Sequence, residues 1–451
     1  MPPDPIGLER QLVGILGRPA LLSGEAVAPY AVGGLVPSLV ACPGTQEEAA
    51  AVLLACGAAG AAVAPRGGGS ALGLGNPPTR LDLLLCLDRL NRVVEFDAAN
   101  LTVTAEAGVR LGDLRQLVAA ERELLPLDPS RLERRTVGGL IATNASGPCR
   151  LLHGTARDLL LGLSVALPGG ERIRCGGTVI KNVSGYDLTK LFIGSLGTLG
   201  VITQATFKLL PAPATRAAVL GIFPAPAQAA DVIGEALGSY LLPESMELLS
   251  PRALAAVVGE LGEAGSAGYG LAVSVAGSPE TVARQLRDFT RLFRDGRAER
   301  TTLLAPEQSG PAGQAIRDVL DRALDPAGAR VAVKIGVPIR RTVDLLAAAE
   351  ALGARAGWLA AAAAHAGSGV VRAVFAVEGA DEAAVRAGIE SLRREAEAAE
   401  GSLVVEAAPA EVARGLDAWG SPGEALPVMR RLKAEFDPGG IMNPGRFLSG
   451  I

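Results

Sequence analysis

Three consecutive glycines are the most distinctive chemical feature of this 451-residue chain. Gly67, Gly68 and Gly69 follow an apolar step at Val63 and precede Ser70. Glycine has no Cβ atom, so the backbone N–H groups of such a loop can close around an anion, at a cost in backbone entropy. A loop of this kind after a strand is suited to a pyrophosphate group, although glycine-rich strings also form ordinary surface turns.

A second cluster, between residues 128 and 154, is rich in small and hydroxyl-bearing residues. This composition leaves backbone N–H groups accessible and adds short side-chain donors for phosphate and ring atoms. The alternative is a long structural loop that binds no ligand. The candidate binding residues of this cluster are Pro129, Ser130, Thr136, Gly138, Gly139, Thr143, Asn144, Ser146 and Gly147.

A third cluster covers residues 181–188 and leads into the glycine-rich segment 194–203. Here glycines precede a β-branched strand, so a flat ligand could lie against exposed backbone. Tyr186 and Asp187 are more simply explained as residues at the start of a helix. The candidate binding residues of this cluster are Gly197, Thr198, Val201 and Ile202.

Composition excludes several classes of function. The net charge is −4 and Lys and Arg form no runs, so the chain lacks the basic face that nucleic-acid binding needs. The five cysteines are dispersed without a Cys-x-x-Cys pair, which argues against a zinc ribbon or a cysteine-ligated iron–sulfur cluster and predicts free thiols. The chain has only two histidines, His153 and His365, which argues against a mechanism that needs a histidine cluster.

Membrane and export signals are also missing from the sequence. No segment offers about 18 uninterrupted apolar residues for a membrane span. The first residues, Met-Pro-Pro-Asp-Pro-Ile, lack the cationic start and apolar run of a secretory signal. We therefore expect a cytoplasmic protein that associates with the membrane only through partners.

Local patterns place the glycine loop at the end of a strand. Thr45 and Glu48 form the S/T-x-x-E capping box of a helix, and an apolar strand at residues 62–64 follows that helix. The loop therefore leaves a βαβ-type unit. Residues 92–96 and 101–106 alternate apolar and polar side chains across a turn, which predicts a hairpin.

Beyond Pro211 and Pro213 the pattern changes, because proline ends elements and marks a boundary. The predicted strands are 268–276, 330–337, 370–377 and 402–406, and the predicted helices are 279–294, 342–352 and 381–400. This alternation predicts an antiparallel sheet with helices on one face, an α+β domain. No internal repeat is visible in the sequence.

The three clusters resemble the FAD-binding half of the vanillyl-alcohol oxidase / p-cresol methylhydroxylase flavoproteins, in the glycolate oxidase / D-lactate dehydrogenase branch. Residues 65–75 match the pyrophosphate loop, 128–147 the segment along the flavin, and 194–203 the strand near the isoalloxazine and adenine. The ending from Asp437 to Arg446 also matches this branch. The resemblance implies that the pyrophosphate loop consists of Pro65, Arg66, Gly67, Gly68, Gly69, Ser70, Ala71 and Gly75.

The resemblance implies an α+β fold with a two-subdomain PCMH-type FAD-binding domain and a ferredoxin-like antiparallel cap. It divides the chain into a helical N-terminal extension (1–34), the FAD-binding domain (35–212), the cap or substrate domain (213–420) and a tail that returns to the flavin domain (421–451). Some members attach FAD to a histidine after the glycines. Ser70 occupies that place and cannot form the bond, so we expect non-covalent FAD.

The cap departs from the pattern of the 2-hydroxy-acid dehydrogenases in this branch, whose His-Ala-Gly-Asp-Gly-Asn-Leu-His and Glu-His-Gly segments bind a divalent metal. His365 is kept, but Ser368 replaces the Asp, Arg372 replaces the second histidine, and Glu406 lies near the place of the absent Glu-His-Gly. One histidine cannot by itself form a metal site, so we expect no metal. The resemblance leaves His365 as candidate catalytic base, and Lys334 and Arg372 as candidate receivers of a substrate carboxylate, although Lys334 could equally be an exposed strand residue.

Three functions are compatible with this pattern, which is closest to the second flavin subunit of the three-part glycolate oxidase. The first is an FAD-binding subunit of a 2-hydroxy-acid dehydrogenase complex of the glycolate or D-lactate type, with a second flavin subunit and an iron–sulfur subunit as partners. The second is an autonomous FAD-dependent 2-hydroxy-acid dehydrogenase. The third is a non-catalytic nucleotide-binding scaffold subunit. The sequence names neither the hydroxy acid nor the electron acceptor.

Overall fold

The computed structural model of the protein describes residues 4–179, 186–260, 268–304, 306–324 and 328–451. Within these ranges the chain forms three large sheets, of four, five and eight strands, with flanking helices. No helix in the part described is long and apolar enough to cross a membrane.

The first sheet has the strand order β1-β2-β4-β3, in which β2, β4 and β3 are parallel and β1 is antiparallel to β2. The predicted helix cap is confirmed at Thr45, whose hydroxyl accepts the N–H of Glu48 at 3.1 Å. The Glu48 carboxylate accepts the N–H of Gly44 at 2.6 Å, one residue before the position that the predicted capping box requires. The elements of this region are α1 (Pro5–Leu16), β1 (Leu21–Ser23), β2 (Leu39–Ala41), α2 (Gln46–Ala59), β3 (Val63–Arg66) and β4 (Leu83–Cys86).

The second sheet is antiparallel, with the strand order β5-β6-β10-β8-β9. Strands β7 and β11 form a separate two-stranded sheet. The predicted hairpin is confirmed as β5 and β6. The strands are β5 (Val93–Asp97), β6 (Thr102–Glu106), β7 (Glu123–Leu124), β8 (Leu160–Ala166), β9 (Arg172–Gly176), β10 (Val201–Lys208) and β11 (Leu210–Pro211). The helices are α3 (Leu111–Ala120), α4 (Val137–Thr143), α5 (Arg150–His153), α6 (Ala156–Leu159) and α7 (Thr189–Phe192).

One apolar core joins these two sheets, and the far end of the chain contributes to it. Ile441 and Met442 are fully buried members of this core. The N–H of Val63 donates to the carbonyl of Ile441 at 2.8 Å, and the N–H of Asn443 donates to the carbonyl of Val63 at 2.8 Å. The C-terminal tail therefore lies as an extended segment against β3, the strand that leads into the glycine loop.

The third sheet has eight antiparallel strands in the order β15-β12-β14-β13-β17-β18-β16-β19. Its strands are β12 (Thr215–Phe223), β13 (Ser245–Leu249), β14 (Tyr269–Gly277), β15 (Arg300–Leu304), β16 (Arg330–Gly336), β17 (Leu359–His365), β18 (Val370–Ala376) and β19 (Ser402–Ala407). The helices after β11 are α8 (Pro226–Leu237), α9 (Pro251–Glu260), α10 (Pro279–Asp295), α11 (Pro306–Arg317), α12 (Val319–Arg322), α13 (Thr342–Ala356), α14 (Glu382–Ala398), α15 (Ala410–Ala413) and α16 (Leu426–Phe436).

The order of the strands shows that this sheet is built from two units of the same topology. Strands β12 to β15 and strands β16 to β19 each follow the ferredoxin-like βαββαβ pattern, with the fourth strand beside the first and the third between the first and the second. The second strands of the two units, β13 and β17, pair with each other, so that Glu247 lies opposite His365. The predicted antiparallel ferredoxin-like cap is confirmed, and it contains two such units where the sequence showed no repeat.

The two faces of the eight-stranded sheet have different partners. Helices α8, α10, α13 and α14 pack on one face, where Val331, Val333 and Ile335 of β16 are fully buried. Side chains alternate along a strand, so Arg330 and Lys334 of β16 lie on the opposite face. Helices α9, α11 and α12 cover only part of that face. The remainder faces the first two sheets.

A buried carboxylate connects the eight-stranded sheet to the rest of the molecule. Glu244, only 2% exposed, precedes β13 and accepts two hydrogen bonds from the Arg216 guanidinium, at 2.7 and 2.8 Å. Its Oε1 also lies 3.3 Å from Nε2 of His153, which belongs to α5. Although burial opposes ionisation, the hydrogen bonds to His153 and Arg216 lower the pKa of Glu244 to about 2.

Replacing this carboxylate by an amide should therefore reduce stability in a pH-dependent way. The pKa of Glu244 is lower in the folded than in the unfolded protein, so its stabilisation is complete above the ordinary glutamate pKa near 4.5 and is lost as pH falls toward 2. We expect Glu244→Gln to lower the free energy of unfolding by about 2–3 kcal/mol at pH 7, and by progressively less below pH 4.5. Denaturant unfolding at pH 7, 5 and 3.5 measures this difference.

Glu235, exposed on α8 and without a side-chain hydrogen bond or ion pair to a described residue, provides the matched control. The Glu235→Gln variant should unfold as the parent protein does at every pH. A Glu244→Gln protein as stable as the parent at pH 7, or a loss of stability that does not diminish in acid, would contradict the interdomain role of this carboxylate.

Candidate functional site

The glycine loop leaves β3 with its backbone donors free. Among the residues that the structure describes, no N–H group from Gly67 to Leu72 donates a hydrogen bond to another protein atom. A Cβ atom added at Gly68 would lie 1.7 Å from the carbonyl oxygen of Arg134, and one at Gly67 would lie 2.1 Å from the Thr136 hydroxyl. Glycine is required at these two positions because the loop packs directly against the chain that precedes α4.

The C-terminal tail holds the other side of this loop. One guanidinium nitrogen of Arg446 donates to the carbonyls of Leu72 and Leu74, both at 2.7 Å, and the Arg446 residue is 4% exposed. The Asn443 amide donates to the carbonyl of Leu196 at 2.7 Å. The tail thus engages carbonyl oxygens around the loop and leaves the N–H groups directed elsewhere.

A cavity, hereafter the cofactor cavity, lies between the glycine loop, α4 and the start of β10. Fourteen of the residues proposed from the sequence line it: Pro65, Arg66, Gly67, Gly68, Gly69, Ser70, Ala71, Thr136, Gly138, Gly139, Thr143, Gly197, Val201 and Ile202. Asn443 and Arg446 of the tail also line it. The structure therefore brings parts of all three sequence clusters, and the tail, to one cavity.

Seven of the proposed cofactor-binding residues lie outside this lining, and three of them, Ser130, Asn144 and Ser146, line an adjoining cavity instead. The other four pack within the protein. Gly75 packs against the tail, where a Cβ would lie 2.6 Å from the Arg446 carbonyl, and Gly147 packs where a Cβ would lie 1.8 Å from the Asp128 carbonyl. The Thr198 hydroxyl donates to the carbonyl of Ser195 at 2.8 Å, and Pro129 is buried. Segment 181–185 of the third cluster lies outside the described residues.

The cofactor cavity fits the group that the sequence implies, FAD. The unpaired N–H groups of the glycine loop suit a pyrophosphate, because they are donors without a partner in the described protein. The side-chain oxygen of Asn443, which lines this cavity, is buried and has no hydrogen-bond partner among the described residues, as expected of an acceptor that faces a donor of a ligand. The same is true of the side-chain oxygen of Asn144, which follows Thr143 of the lining in sequence.

A second cavity, hereafter the cationic cavity, continues from the first. The two cavities share Ser70, Ala71 and Thr143. The wall on the cofactor side includes Ser130, Asn144 and Ser146, and the opposite wall is the open face of β16, β17, β18 and β19. The three residues proposed for catalysis and substrate binding, His365, Lys334 and Arg372, all line this cavity.

His365 lies at the end of β17 and is held by a buried carboxylate. Its Nδ1 lies 2.8 Å from both carboxylate oxygens of Glu247, the residue opposite it on β13. Glu247 is 3% exposed, and burial raises the pKa of Glu247, an effect that the adjacent His365 opposes. With Nδ1 engaged, Nε2 is the ring nitrogen left without a partner among the described residues.

Lys334 and Arg372 lie opposite each other on β16 and β18. The Arg372 guanidinium donates to one oxygen of Glu406 at 2.6 and 3.0 Å and to the Ser130 hydroxyl at 3.4 Å. Lys334 forms no hydrogen bond or ion pair with a described residue. Burial lowers the pKa of Lys334, which Glu406 partly offsets. Arg372 is therefore already neutralised, whereas the Lys334 ammonium is available to a ligand.

Further cations enter the cavity from the cofactor side. Arg131 is ion-paired with Asp321 of α12 and so connects the two walls. The Nε of Arg135 donates to the Ser130 carbonyl at 2.9 Å, and burial, together with the neighbouring Arg372, lowers the pKa of Arg135 to about 10.

No cluster of three or more His, Cys, Asp or Glu side chains that could hold a metal ion is found in the described ranges. Of the ligand pattern that the resemblance implies, this chain keeps His365 and has Ser368 and Arg372 at two of the other places. His365 and Glu247 face each other as a pair, and two ligands do not make a metal site.

Sequence reasoning missed several of these residues. Glu247 is a carboxylate inside the otherwise apolar strand Ser-Met-Glu-Leu-Leu, and that isolated charge was an available signal. Asn443 and Arg446 belong to a tail motif that was noted without a role at the site. Arg135 and Arg150 carried no local signal, because only the approach of the cap turns them into the wall of a cavity.

Two protein-family models match separate parts of this chain. A family model described as "FAD binding domain" matches residues 37–176, and one described as "FAD linked oxidases, C-terminal domain" matches residues 212–447. The second match covers more than half of the chain.

Full-length relatives and solved structures share this arrangement. Glycolate oxidase subunit GlcD of Bacillus subtilis is 29% identical over 92% of this chain and 89% of its own length. An uncharacterized FAD-linked oxidoreductase of Mycobacterium tuberculosis is 31% identical over 96% of each chain. The crystal structure of p-cresol methylhydroxylase with substrate bound is similar with a TM-score of 0.75 at 16% identity, covering 98% of this chain and 96% of that one, which shows the same fold.

The close packing of the glycine loop gives a direct test of its role. We expect Gly68→Ala to yield folded protein with less than a tenth of the parent flavin content, because the added methyl group displaces the loop from the Arg134 carbonyl. Gly73→Ala, in the same loop but with no atom within 4 Å of the added methyl group, should keep full flavin. Visible absorbance measures flavin content, and circular dichroism confirms folding.

Acid precipitation of the parent protein completes this experiment. Because Ser70 stands where a covalent attachment would need a histidine, the yellow flavin should remain in the supernatant. A folded Gly68→Ala protein with full flavin would show that this loop does not hold the cofactor, and a yellow pellet would show covalent attachment.

Proposed function

This chain belongs to the FAD-linked oxidases, and from that membership we propose that it oxidises a 2-hydroxy acid with non-covalently bound FAD. The observation that carries the proposal is the continuity of the two cavities: a cofactor cavity with free N–H donors opens into a cavity with a carboxylate-held histidine and an unpaired ammonium. Residues 35–212 with the tail 421–451 would form the cofactor half, and 213–420 the substrate half.

The residues that would hold FAD follow from the cofactor cavity. The N–H groups from Gly67 to Leu72 would bind the pyrophosphate, and Thr143 and Asn144 would lie where that cavity opens into the cationic one. The bound flavin supplies the acceptor for the hydride that leaves C2 of a 2-hydroxy acid.

His365 would accept the proton of the substrate hydroxyl. Its Nδ1–H donates to Glu247, which fixes the tautomer and leaves the lone pair of Nε2 free to take the proton. The C2–H bond breaks with its electron pair, which leaves as hydride, and the O–H bond breaks with its proton on Nε2. The product is a 2-oxo acid. Glu247 is a positioning residue in this scheme, since it touches His365 only.

Lys334 would orient the substrate through its carboxylate. The ammonium has no hydrogen-bond or ion-pair partner among the described residues and lies one strand from Arg372, whose charge Glu406 already neutralises. A substrate carboxylate would supply the missing counter-charge and place C2 between Lys334 and His365. Arg372 would then line the cavity beside Lys334 and contact Ser130 on the opposite wall.

Anaerobic mixing of the FAD-loaded protein with D-2-hydroxy acids tests this proposal. The flavin absorbance should bleach, and His365→Asn should slow bleaching at least 100-fold with unchanged flavin content. Glu247→Gln should slow it about ten-fold and move the rising limb of the pH–rate profile to lower pH, because a negative charge beside the imidazolium is lost. A flavin that no 2-hydroxy acid bleaches, or a His365→Asn protein as fast as the parent, would sink the proposal.

We further propose that the electrons leave through another redox protein, an iron–sulfur subunit, in a complex with a second flavin subunit. The support is chemical: the five cysteines include no Cys-x-x-Cys pair for a cluster, and a relative carries the name of a glycolate oxidase subunit. A second candidate, a supporting subunit without its own turnover, is favoured by Ser368 and Arg372, which stand where the resemblance implies metal ligands.

Reconstitution separates these two candidates. If the chain is catalytic and depends on partners, the isolated protein should bleach its flavin once and turn over slowly with artificial dyes. Co-expression with neighbouring flavin and iron–sulfur subunits should then raise turnover at least ten-fold and give a complex on a sizing column. Loss of turnover in a complex carrying His365→Asn identifies this chain as the catalytic one. Undiminished turnover in that complex assigns it a supporting role, and fast dye reduction by the isolated chain rules out dependence on partners.

A further inference from the structure

The cationic cavity carries more positive charge than its own carboxylates neutralise. Six cationic side chains line it, and two of them are ion-paired, Arg372 with Glu406 and Arg131 with Asp321. The four that have no carboxylate partner among the described residues are Arg135, Arg150, Arg330 and Lys334.

Within the described part of the chain, these four side chains are bonded only to neutral acceptors, or to none. Arg135 donates to the Ser130 carbonyl at 2.9 Å, Arg150 to the Ser146 hydroxyl at 3.0 Å, and Arg330 to the Asp321 carbonyl at 3.4 Å, whereas Lys334 has no partner there. Burial lowers the pKa of Arg135, Arg150 and Lys334, because removing each positive charge from water is unfavourable. A bound anion would offset this desolvation cost.

A single carboxylate cannot account for this arrangement. It carries one negative charge on two adjacent oxygens and so satisfies one or two neighbouring cations. A reduced flavin at the mouth of the cavity would add at most one further negative charge. Four unneutralised cations therefore exceed what a simple 2-hydroxy monoacid requires.

The register of the sheet separates the cations into two groups. Lys334 and His365 lie on the two strands that flank β18, where Lys334 pairs with Arg372 and His365 pairs with Val370, two residues away. Arg330 lies four residues earlier on the same face of β16, about 13 Å from Lys334 between Cα atoms. Arg135 lies on the opposite wall, near enough to Arg372 for the two charges to repel. The long Lys and Arg side chains reach toward each other, so the space between the charged ends of the two groups suits a short carbon chain.

We propose that the substrate is a dianion, a 2-hydroxy acid with a second anionic group at the other end of a short carbon chain. Its first carboxylate binds Lys334 and Arg150 beside His365, and its second anion binds Arg135 and Arg330. The inference rests on the proposed function for the position of the hydroxyl group. The second anion takes no part in bond breaking, so hydride and proton leave as described above.

Binding of unreactive acids to the FAD-loaded protein tests the second subsite without turnover. Calorimetry should show that glutarate binds at least 20-fold more tightly than pentanoate, which has the same number of carbons and one carboxylate. Arg330→Gln should reduce this ratio about ten-fold. Arg340→Gln, an exposed arginine paired with Glu400 on the cap surface, is the matched control and should leave the ratio unchanged. Equal affinity for the two acids, or an unchanged ratio in Arg330→Gln, would overturn the proposal.

A terminal phosphonate analogue distinguishes the two possible sources of the second anion. Tighter binding of 4-phosphonobutyrate than of glutarate assigns a phosphate, and the reverse assigns a carboxylate.

Flavin bleaching separates failure of this inference from failure of the proposed function. D-2-hydroxyglutarate should bleach the flavin at least 20-fold more efficiently than D-2-hydroxypentanoate. Equal efficiency would overturn the second subsite and keep the oxidation. Preferential binding of glutarate together with no bleaching by either hydroxy acid would keep the subsite and overturn the oxidation.

Discussion

The site depends on a loop in which the carbonyls of Leu72 and Leu74 are bound, while the N–H groups of residues 67–72 have no partner in the described part of the protein. Arg446 draws the carbonyls of Leu72 and Leu74 toward the tail, while Gly67 and Gly68 pack so closely against the segment before α4 that no side chain fits. The backbone is thus held in one orientation by contacts that leave its donors unused. Because the tail that supplies Arg446 is also part of the apolar core and pairs with β3, cofactor binding is connected to the last residues of the chain.

The cap likewise separates groups that are bound within the protein from groups that are left for a ligand. Its eight-stranded sheet buries one face under helices and directs charged residues of β16 to β19 at the cofactor half. Every carboxylate that lines the cationic cavity is already paired with an arginine, and Glu247 is paired with His365. The acidic groups therefore hold arginine and histidine side chains in place, and a surplus of cations remains. This is the charge pattern of a site that receives anions. Glu244 and the Arg131–Asp321 pair connect the two halves around this cavity.

Local chemistry explains which features could be predicted from the sequence. The glycine loop, the helix cap at Thr45 and the β-branched strands of the cap domain follow from backbone and propensity rules, and the structure contains them within a few residues. Strand β17 was missed because its run of alanines has little strand propensity. The contact of His365 with Glu247 spans 118 positions in the chain, and the cationic cavity exists only where two halves meet, so no local pattern records either. The doubled ferredoxin-like topology likewise shows only in the pairing of strands.

A crystal structure of the protein loaded with FAD tests the central claim most directly, since the claim is that free N–H groups fix the cofactor and direct its reactive end toward the cap. We expect the pyrophosphate oxygens within hydrogen-bonding distance of the N–H groups of residues 67–72, and the flavin ring between Thr143 and the cap face that carries Lys334 and His365. A pyrophosphate bound by the arginines of the cationic cavity, with the loop N–H groups unpaired, would contradict the account.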